Sequence, residues 1–214
     1  MRTERPVPPR ESFTVSHSVF SEEPAGLPIR GHYWIELRDA KTKKILETRE
    51  ADNLITLDYG VLVAMILGSG ATPTPPAIRG LTMLGVGTGA PGAVFSPDAP
   101  DRRQRHLTAE IARKGFTSTV YRTAGGAVSS VPTNILDLSV TFGEGEAVGH
   151  LNEMGLMRTI STNPSVTHPV PSTYPTYDAT IDLSTRDVMI NIAHFATIPK
   201  TSGSELSFTW RLTI

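Results

Sequence analysis

Apolar and polar residues alternate strictly over nine positions, LSFTWRLTI at 206–214, and this pattern strongly limits how the chain can fold. A period of two places the apolar side chains on one face of a β-strand, whereas a helix would scatter them around its axis. Shorter alternating runs occur at 136–142, 179–183 and 188–192. The sequence therefore predicts a mainly β fold, either a β-sandwich or a jelly-roll-like barrel.

Residues 31–50 predict a β-hairpin near the start of this fold. Tyr33, Ile35 and Leu37 share one face of the first strand, and the polar residues 39–42 make the turn. One strand face is then buried and the other meets water, as in most antiparallel sheets.

One segment, residues 57–67, predicts a helix. Thr56 stands where an N-cap would lie, and Gly68 stands where a helix would end. The run from 61 to 67 has no polar face, so we expect a short helix buried against a sheet or a neighbouring subunit.

Residues 1–28 are predicted to form a separate unit, an extended N-terminal docking arm ahead of a domain at 29–214. Five prolines prevent a long helix: Pro6, Pro8, Pro9, Pro24 and Pro28. Between them, Phe13, Val15, His17 and Val19 alternate with Ser and Thr. Fully extended, the arm would reach about 90 Å. A disordered tail is the alternative interpretation.

The composition limits the partners. The formal net charge is −1 and charged residues make up 19% of the chain, so nucleic acid and anionic membranes are not expected as main partners. There is no cysteine, which excludes disulfides and thiolate metal sites. The longest apolar run, 61–67, is far shorter than the ~20 residues that cross a bilayer. We expect a soluble protein without a signal peptide.

The segment LTMLGVGTGAPG at 81–92 contains a G-x-G-x-x-G match formed by Gly87, Gly89 and Gly92. A dinucleotide loop needs a helix that begins within these glycines, and prolines follow instead. We interpret Gly85, Gly87 and Gly89 as structural glycines where a core strand leaves its sheet. This interpretation predicts a positive φ at Gly87 or Gly89.

Catalytic chemistry finds little support. The six histidines are isolated, and no nucleophile elbow occurs. Glu153 lies in an apolar segment, where we expect a half-buried carboxylate that accepts hydrogen bonds from the backbone or from arginine. The sequence thus predicts no catalytic, cofactor-binding or metal-binding residue, and the protein is not expected to be an enzyme. A hydrolase with an unrecognised site is a rival hypothesis.

Two segments are candidates for protein contacts besides the arm. A basic cluster runs from Arg102 to Lys114, and it indicates a solvated face, a salt-bridged subunit seam or a phosphate contact. The loop at 161–177 is rich in Pro, Ser, Thr and Tyr and predicts an exposed contact loop. The expected contact residues are Phe13, Val15, Val19, Phe20, Arg102, Arg103, Arg105, Tyr174 and Tyr177.

Several segments together resemble a family of tailed-bacteriophage virion proteins, over about residues 31–214. The matching segments are NLI at 53–55, VGTG at 86–89, residues 107–113, EMGL at 153–156, and Lys200 ahead of the strand at 206–214. The resemblance implies a tail, baseplate, fibre-attachment or head-surface component. It assigns no catalytic residue to this chain. The arm and the loop at 161–177 depart from the family pattern.

We therefore expect a structural subunit of a phage virion, located in the virion after assembly in the host cytoplasm. Its partners would be copies of itself and other virion proteins. A tail component of the neck, baseplate or fibre attachment is favoured, and a head decoration or cement protein is the alternative. A rival of another class is a carbohydrate-binding β-sandwich, in which Trp34, Tyr174 and Tyr177 would stack on host-surface glycans.

Overall fold

Two five-stranded antiparallel sheets carry most of the secondary structure of this protein. The computed structural model describes residues 29–68, 80–159 and 187–214. The predicted arm at 1–28, the contact loop at 161–177 and the strand at 179–183 lie outside the described residues. The prediction of a mainly β fold with one short helix is confirmed.

The elements follow the sequence patterns closely. In chain order they are β1 (Arg30–Asp39), β2 (Ile45–Asp52), β3 (Leu54–Ile55), α1 (Asp58–Gly68), β4 (Met83–Gly87), β5 (Gly92–Ala93), β6 (Ser96–Pro97), β7 (Glu110–Gly115), β8 (Ser118–Tyr121), β9 (Ile135–Phe142), β10 (Gly149–Arg158), β11 (Val188–Lys200) and β12 (Ser204–Thr213). The predicted hairpin is β1 and β2, and the strongest alternation is β12.

Strand order separates the chain into two layers. The first sheet has the order β2-β1-β12-β9-β8, and the second has the order β3-β11-β10-β4-β7. One cluster of buried apolar side chains contains residues from both sheets, for example Ile35 and Phe208 from the first and Val86 and Met154 from the second. The architecture is therefore a β-sandwich, the first of the two predicted alternatives.

The core depends on the period-two pattern. Along β12 every second side chain is buried, and Phe208 and Trp210 are almost fully hidden from solvent. The Phe208 ring meets Phe142 edge to face at 6.0 Å between centroids, and the Trp210 ring lies 6.0 Å from Tyr33. Both separations fall in the range that aromatic pairs favour.

Helix α1 begins and ends within one residue of the prediction, but its surroundings differ. Leu62 is buried in the core, whereas Ile66 is 40% exposed, so the described side chains of α1 are not all buried. The Thr56 hydroxyl donates to the carbonyl of Met189 at 2.7 Å instead of capping the helix. An apolar helix without a polar face need not be buried all round within its own chain.

The connection at 90–100, which looks irregular in the sequence, contains a small hairpin of β5 and β6. Gly92 begins it with a φ of 97°, a value that favours glycine. The carbonyl of Val94 accepts a hydrogen bond from the Thr197 amide at 2.8 Å. The hairpin therefore covers part of the open edge of β11, as natural sheets commonly require.

The outer face of the first sheet carries a charge network centred on Asp137. This side chain on β9 accepts two hydrogen bonds from Arg211 on β12, at 2.7 and 2.9 Å. Arg122, just after β8, donates a third at 2.7 Å. Burial raises the pKa of the Asp137 carboxyl, but the hydrogen bonds from the two arginines outweigh it, so the pKa is lowered overall.

Asp137→Asn should destabilise the protein most at neutral pH. A carboxyl whose pKa is lowered by folding contributes stability above its unfolded pKa of about 3.9, and this contribution disappears as the pH falls through the lower folded value. We expect a loss of about 1–3 kcal/mol in the free energy of unfolding at pH 7. Urea denaturation from pH 7 to pH 2 measures it. Asp52→Asn, at a carboxyl with 90% side-chain exposure, is the control. A loss for Asp137→Asn that is constant with pH would contradict the assignment.

Candidate functional site

The end of the glycine-containing strand β4 meets two neighbours at once. β4 pairs with the central strand β10 on one side and with β7 on the other. The register places Glu153 of β10 directly opposite Gly87 of β4. The segment before β7, residues 105–109, passes beside the same point because Gly87 also pairs with Glu110.

The carboxylate of Glu153 occupies this junction. The residue is 0% exposed. One oxygen accepts hydrogen bonds from the amides of Gly89 at 3.0 Å and Ala109 at 2.7 Å. The other oxygen accepts one from the amide of Thr108 at 2.8 Å. We name Glu153 and these three amides the Glu153 cradle.

The Glu153 cradle confirms one prediction and corrects another. Glu153 does accept backbone hydrogen bonds, as expected, but it is completely buried and not half-buried. A buried carboxylate is costly unless donors compensate it, and hydrogen bonds to charged groups contribute about 1.5–3 kcal/mol each. Since both oxygens face backbone amides, the carboxylate joins two loops to β10 and is not presented to a substrate.

Asn152, the preceding residue, extends this attachment. Its side-chain oxygen accepts from the Ala90 amide at 3.0 Å, and its side-chain nitrogen donates to the Ala90 carbonyl at 3.3 Å. Two consecutive side chains of β10 therefore hold residues 89 and 90. The pairing of β10 with β11 is irregular here, between Leu151 and Glu153, and both Leu151 and Met154 contact the core between the sheets.

The prediction of a positive φ at Gly87 or Gly89 is wrong. Neither residue adopts one; the positive φ in this region belongs to Gly92. A Cβ at Gly87 would lie 2.5 Å from Glu153 Oε1 and 2.6 Å from the Ala109 carbonyl oxygen, and one at Gly89 would lie 2.5 Å from the Ala109 nitrogen. These glycines are therefore required by space next to the cradle and not by backbone conformation.

Lack of space also explains Gly85, but here the neighbouring group is flexible. A Cβ at this position would lie 2.6 Å from the terminal methyl carbon of Met157. A methionine end can move more easily than backbone can. Gly85 is thus a packing glycine in the middle of β4, where a side chain would compete with Met157.

The predicted basic cluster is not one surface. Arg102 and Arg103 are exposed, but Arg105 is buried and pairs with Asp58 at 3.0 Å, with 2% side-chain exposure for both partners. Arg113 is buried as well, between Glu110 and Asp187. In this fold Arg105 is inside the protein, which corrects its predicted role as a contact residue.

The Asp58–Arg105 pair attaches the helix to the segment that carries the cradle. Asp58 is the first residue of α1, and the Leu57 amide donates to the Arg102 carbonyl at 2.9 Å. Burial raises the pKa of the Asp58 carboxyl, and the attraction of Arg105 offsets part of this effect. Residues 102–109 therefore contact both the helix and the second sheet.

Lys200 is a further buried charge, noted in the sequence only through the family resemblance. It is 2% exposed, and its ammonium group donates to the carbonyls of Gly143 at 2.9 Å and Ser204 at 2.6 Å. Burial lowers the pKa of Lys200, and nearby carboxylates such as Glu146 oppose that effect. The lysine ties the turn after β9 to the turn before β12.

The remaining predicted contact residues lie outside the described residues, except for Trp34 of the predicted glycan site. Among the expected contact residues, Phe13, Val15, Val19, Phe20, Tyr174 and Tyr177 lie outside the described residues. Trp34 is partly exposed, and the Arg211 guanidinium carbon lies 5.2 Å from its ring centroid. Arg211 therefore occupies a position at which a sugar ring would stack on this indole.

The most exposed large apolar side chain in the described ranges belongs to Phe95, at 81%. It lies with Val94, which is 57% exposed, at the tip of the β5–β6 hairpin. Sequence reasoning missed this residue because each strand of the hairpin has only two residues. Two adjacent apolar residues flanked by Gly92 and Pro97 were the available signal.

The charged groups of this region are held by contacts within the chain. Across residues 29–68, 80–159 and 187–214, no group of three or more His, Asp or Glu side chains is placed to hold a metal ion. Glu153, Arg105, Arg113 and Lys200 each bind a group of the same chain.

Comparison with known proteins adds no relative. No protein-family model matches the chain, and no curated protein matches it significantly. The helix in the described part of the chain is too short to cross a membrane.

Glu153→Gln should destabilise the fold strongly for so small a change. Glutamine has the size of glutamate, but one of its terminal atoms is a donor, which would face a backbone amide that is also a donor. We expect a loss of about 2–3 kcal/mol in the free energy of unfolding, measured by urea denaturation at pH 7. Glu144→Gln, at an exposed carboxyl, should change stability by about 0.5 kcal/mol or less. Equal effects for the two variants would refute the cradle.

Gly87→Ala should also be destabilising, by about 1–3 kcal/mol, because the new methyl group overlaps Glu153 and the Ala109 carbonyl. Gly203→Ala is the matched control, since a Cβ there meets nothing within 4 Å. Thermal unfolding of both variants measures the difference. A Gly87→Ala protein as stable as Gly203→Ala would show that the space beside the cradle is not limiting.

Proposed function

We propose that this chain is a structural subunit of a bacteriophage virion, most favourably a tail component, that works through protein–protein contacts. The observation that carries the proposal is the placement of the segments on which the family resemblance depends. Gly89 and Glu153 are 64 residues apart in the sequence, yet the segments that contain them meet at the Glu153 cradle.

Three of these segments are in direct contact. VGTG at 86–89 ends β4, and EMGL at 153–156 pairs with β4 along β10. The segment at 107–113 supplies the Thr108 and Ala109 amides to Glu153. A set of residues that fixes loops onto a sheet is what a scaffold subunit needs, since its contacts must be held in a constant geometry.

Two further segments have architectural roles of their own. Lys200 joins two turns through backbone carbonyls. Asn53 connects the two sheets between β2 and β3, and a Cβ on Gly31 would overlap its side chain. The role of each segment is therefore support of the framework, which favours a binding protein over an enzyme.

Exposed groups are available for contacts with other subunits. Phe95 extends from a hairpin that is fixed to β11, and exposed aromatic residues on rigid supports are frequent anchors of protein interfaces. Arg102 and Arg103 are exposed beside the segment that leads into the cradle. These three residues are the described side chains that we assign to assembly.

Placement within the particle is tested by counting the subunit in purified virions of the phage that encodes it. Quantitative mass spectrometry and electron microscopy of intact particles should find the chain at a fixed stoichiometry. A closed ring on the tail axis would give about six or twelve copies, whereas a head decoration would give on the order of hundreds. Absence of the chain from purified virions would overturn the proposal.

A further inference from the structure

Within residues 29–68, 80–159 and 187–214, the strand β2 pairs along one of its two edges. It ends the first sheet, pairs there with β1, and has eight residues, whereas β8 at the other end of that sheet has four. The Asn53 amide donates to the Gly31 carbonyl, so these two residues are a hydrogen-bonded pair of the ladder. In an antiparallel ladder, every second residue of β2 bonds to β1, and the residues between them point their backbone groups outward. The backbone groups of Thr48 and Glu50 therefore point away from β1.

The corresponding edge of the second sheet is covered. The Ile190 carbonyl accepts from the Thr56 amide at 2.9 Å, β3 pairs with β11 at Asn191 and Ile192, and Val94 accepts from the Thr197 amide. No such partner occurs along the outer edge of β2 in the described ranges. An exposed strand edge of this length is a template for another strand.

We propose that residues 13–20 of one copy add as a strand to the free edge of β2 in a neighbouring copy. This inference rests on the proposed function, since it specifies how the subunits contact each other. Strand addition to a sheet edge is an established mode of peptide recognition, in which backbone hydrogen bonds supply the affinity.

The sequence of the segment has the alternation of a strand. The hydroxyl residues Thr14, Ser16 and Ser18 alternate with Phe13, Val15, His17 and Val19. They would continue the outer face of the sheet, where Thr48 lies in register with Glu36 and, beyond it, Ser207. The apolar positions 13, 15 and 19 would then lie on the inner face, beside Glu47 and Arg49 of β2, which stand opposite the core residues Leu37 and Ile35 of β1.

Geometry favours a neighbour over the chain's own arm. All strand ladders in the described ranges are antiparallel. Arg30 lies at the same end of the sheet as Asp52, where β2 finishes. For antiparallel addition to its own β2, residues 21–29 would have to return along the strand's length of about 26 Å. Their full extension is about 30 Å, which leaves almost no slack.

Cysteine cross-linking tests the inference in the full-length protein, because the natural chain has no cysteine. One set of chains carries Thr14→Cys, Ser16→Cys or Ser18→Cys, so that a shift of register is still detected. Each is mixed with Thr48→Cys chains and oxidised, and disulfide-linked dimers are counted on non-reducing gels. The control partner is Ser118→Cys, on the other edge of the same sheet.

We expect at least one arm position to form about tenfold more mixed dimer with Thr48→Cys than with Ser118→Cys, because docking raises the local thiol concentration. Equal yields at all three positions would overturn the inference. So would a double variant, Ser16→Cys with Thr48→Cys, that forms only intramolecular disulfides, since the arm would then occupy its own sheet.

A proline variant gives an independent readout. Ser16→Pro removes a backbone donor from the middle of the arm segment, whereas Thr3→Pro lies outside it and serves as the control. Sedimentation should show fewer assembled copies for Ser16→Pro alone. If this variant and the cross-links behave like their controls while the chain is present in virions, strand addition fails and the proposed function stands. Absence from virions would instead refute the proposed function.

Discussion

Burial of the Glu153 carboxylate is the constraint on which much of the second sheet depends. A carboxylate inside a protein is costly unless hydrogen-bond donors surround it, and here three amides do so. Those amides belong to the loop after β4 and to the segment before β7, so the two regions must approach β10 closely. This approach leaves no space for side chains at Gly87 and Gly89. The position of Glu153 on β10, the two glycines and the paths of the two loops therefore depend on one another.

Buried charged side chains also connect separate segments elsewhere in the fold. Asp58 and Arg105 connect the helix to residues 102–109, and Lys200 connects two turns. Each buried charge meets a partner within the chain, which is the condition for keeping charges inside a protein. Phe95, the two exposed arginines and the outer edge of β2 are among the features of the described residues that face solvent. This division between a fixed interior and available edges is the basis of the proposed assembly role.

The sequence predicts local features well, because period-two alternation is a property of each strand alone. β9, β12 and the β1–β2 hairpin are confirmed for this reason. Long-range relations are not predictable in this way: Arg105 is buried by a partner 47 residues away, and Glu153 binds amides 44 to 64 residues away. The sequence locates the glycines at the junction but not the reason for them, since it does not distinguish a need for positive φ from a need for space.

Amide hydrogen exchange measured by NMR tests the Glu153 cradle most directly. The side chains of Thr108 and Ala109 are exposed, so ordinary loop amides would exchange fast there. If the carboxylate binds them, the amides of Gly89, Thr108 and Ala109 should exchange about as slowly as the core amides of β10, near the free energy of global unfolding. Exchange as fast as at Phe95, on the exposed hairpin tip, would contradict the account.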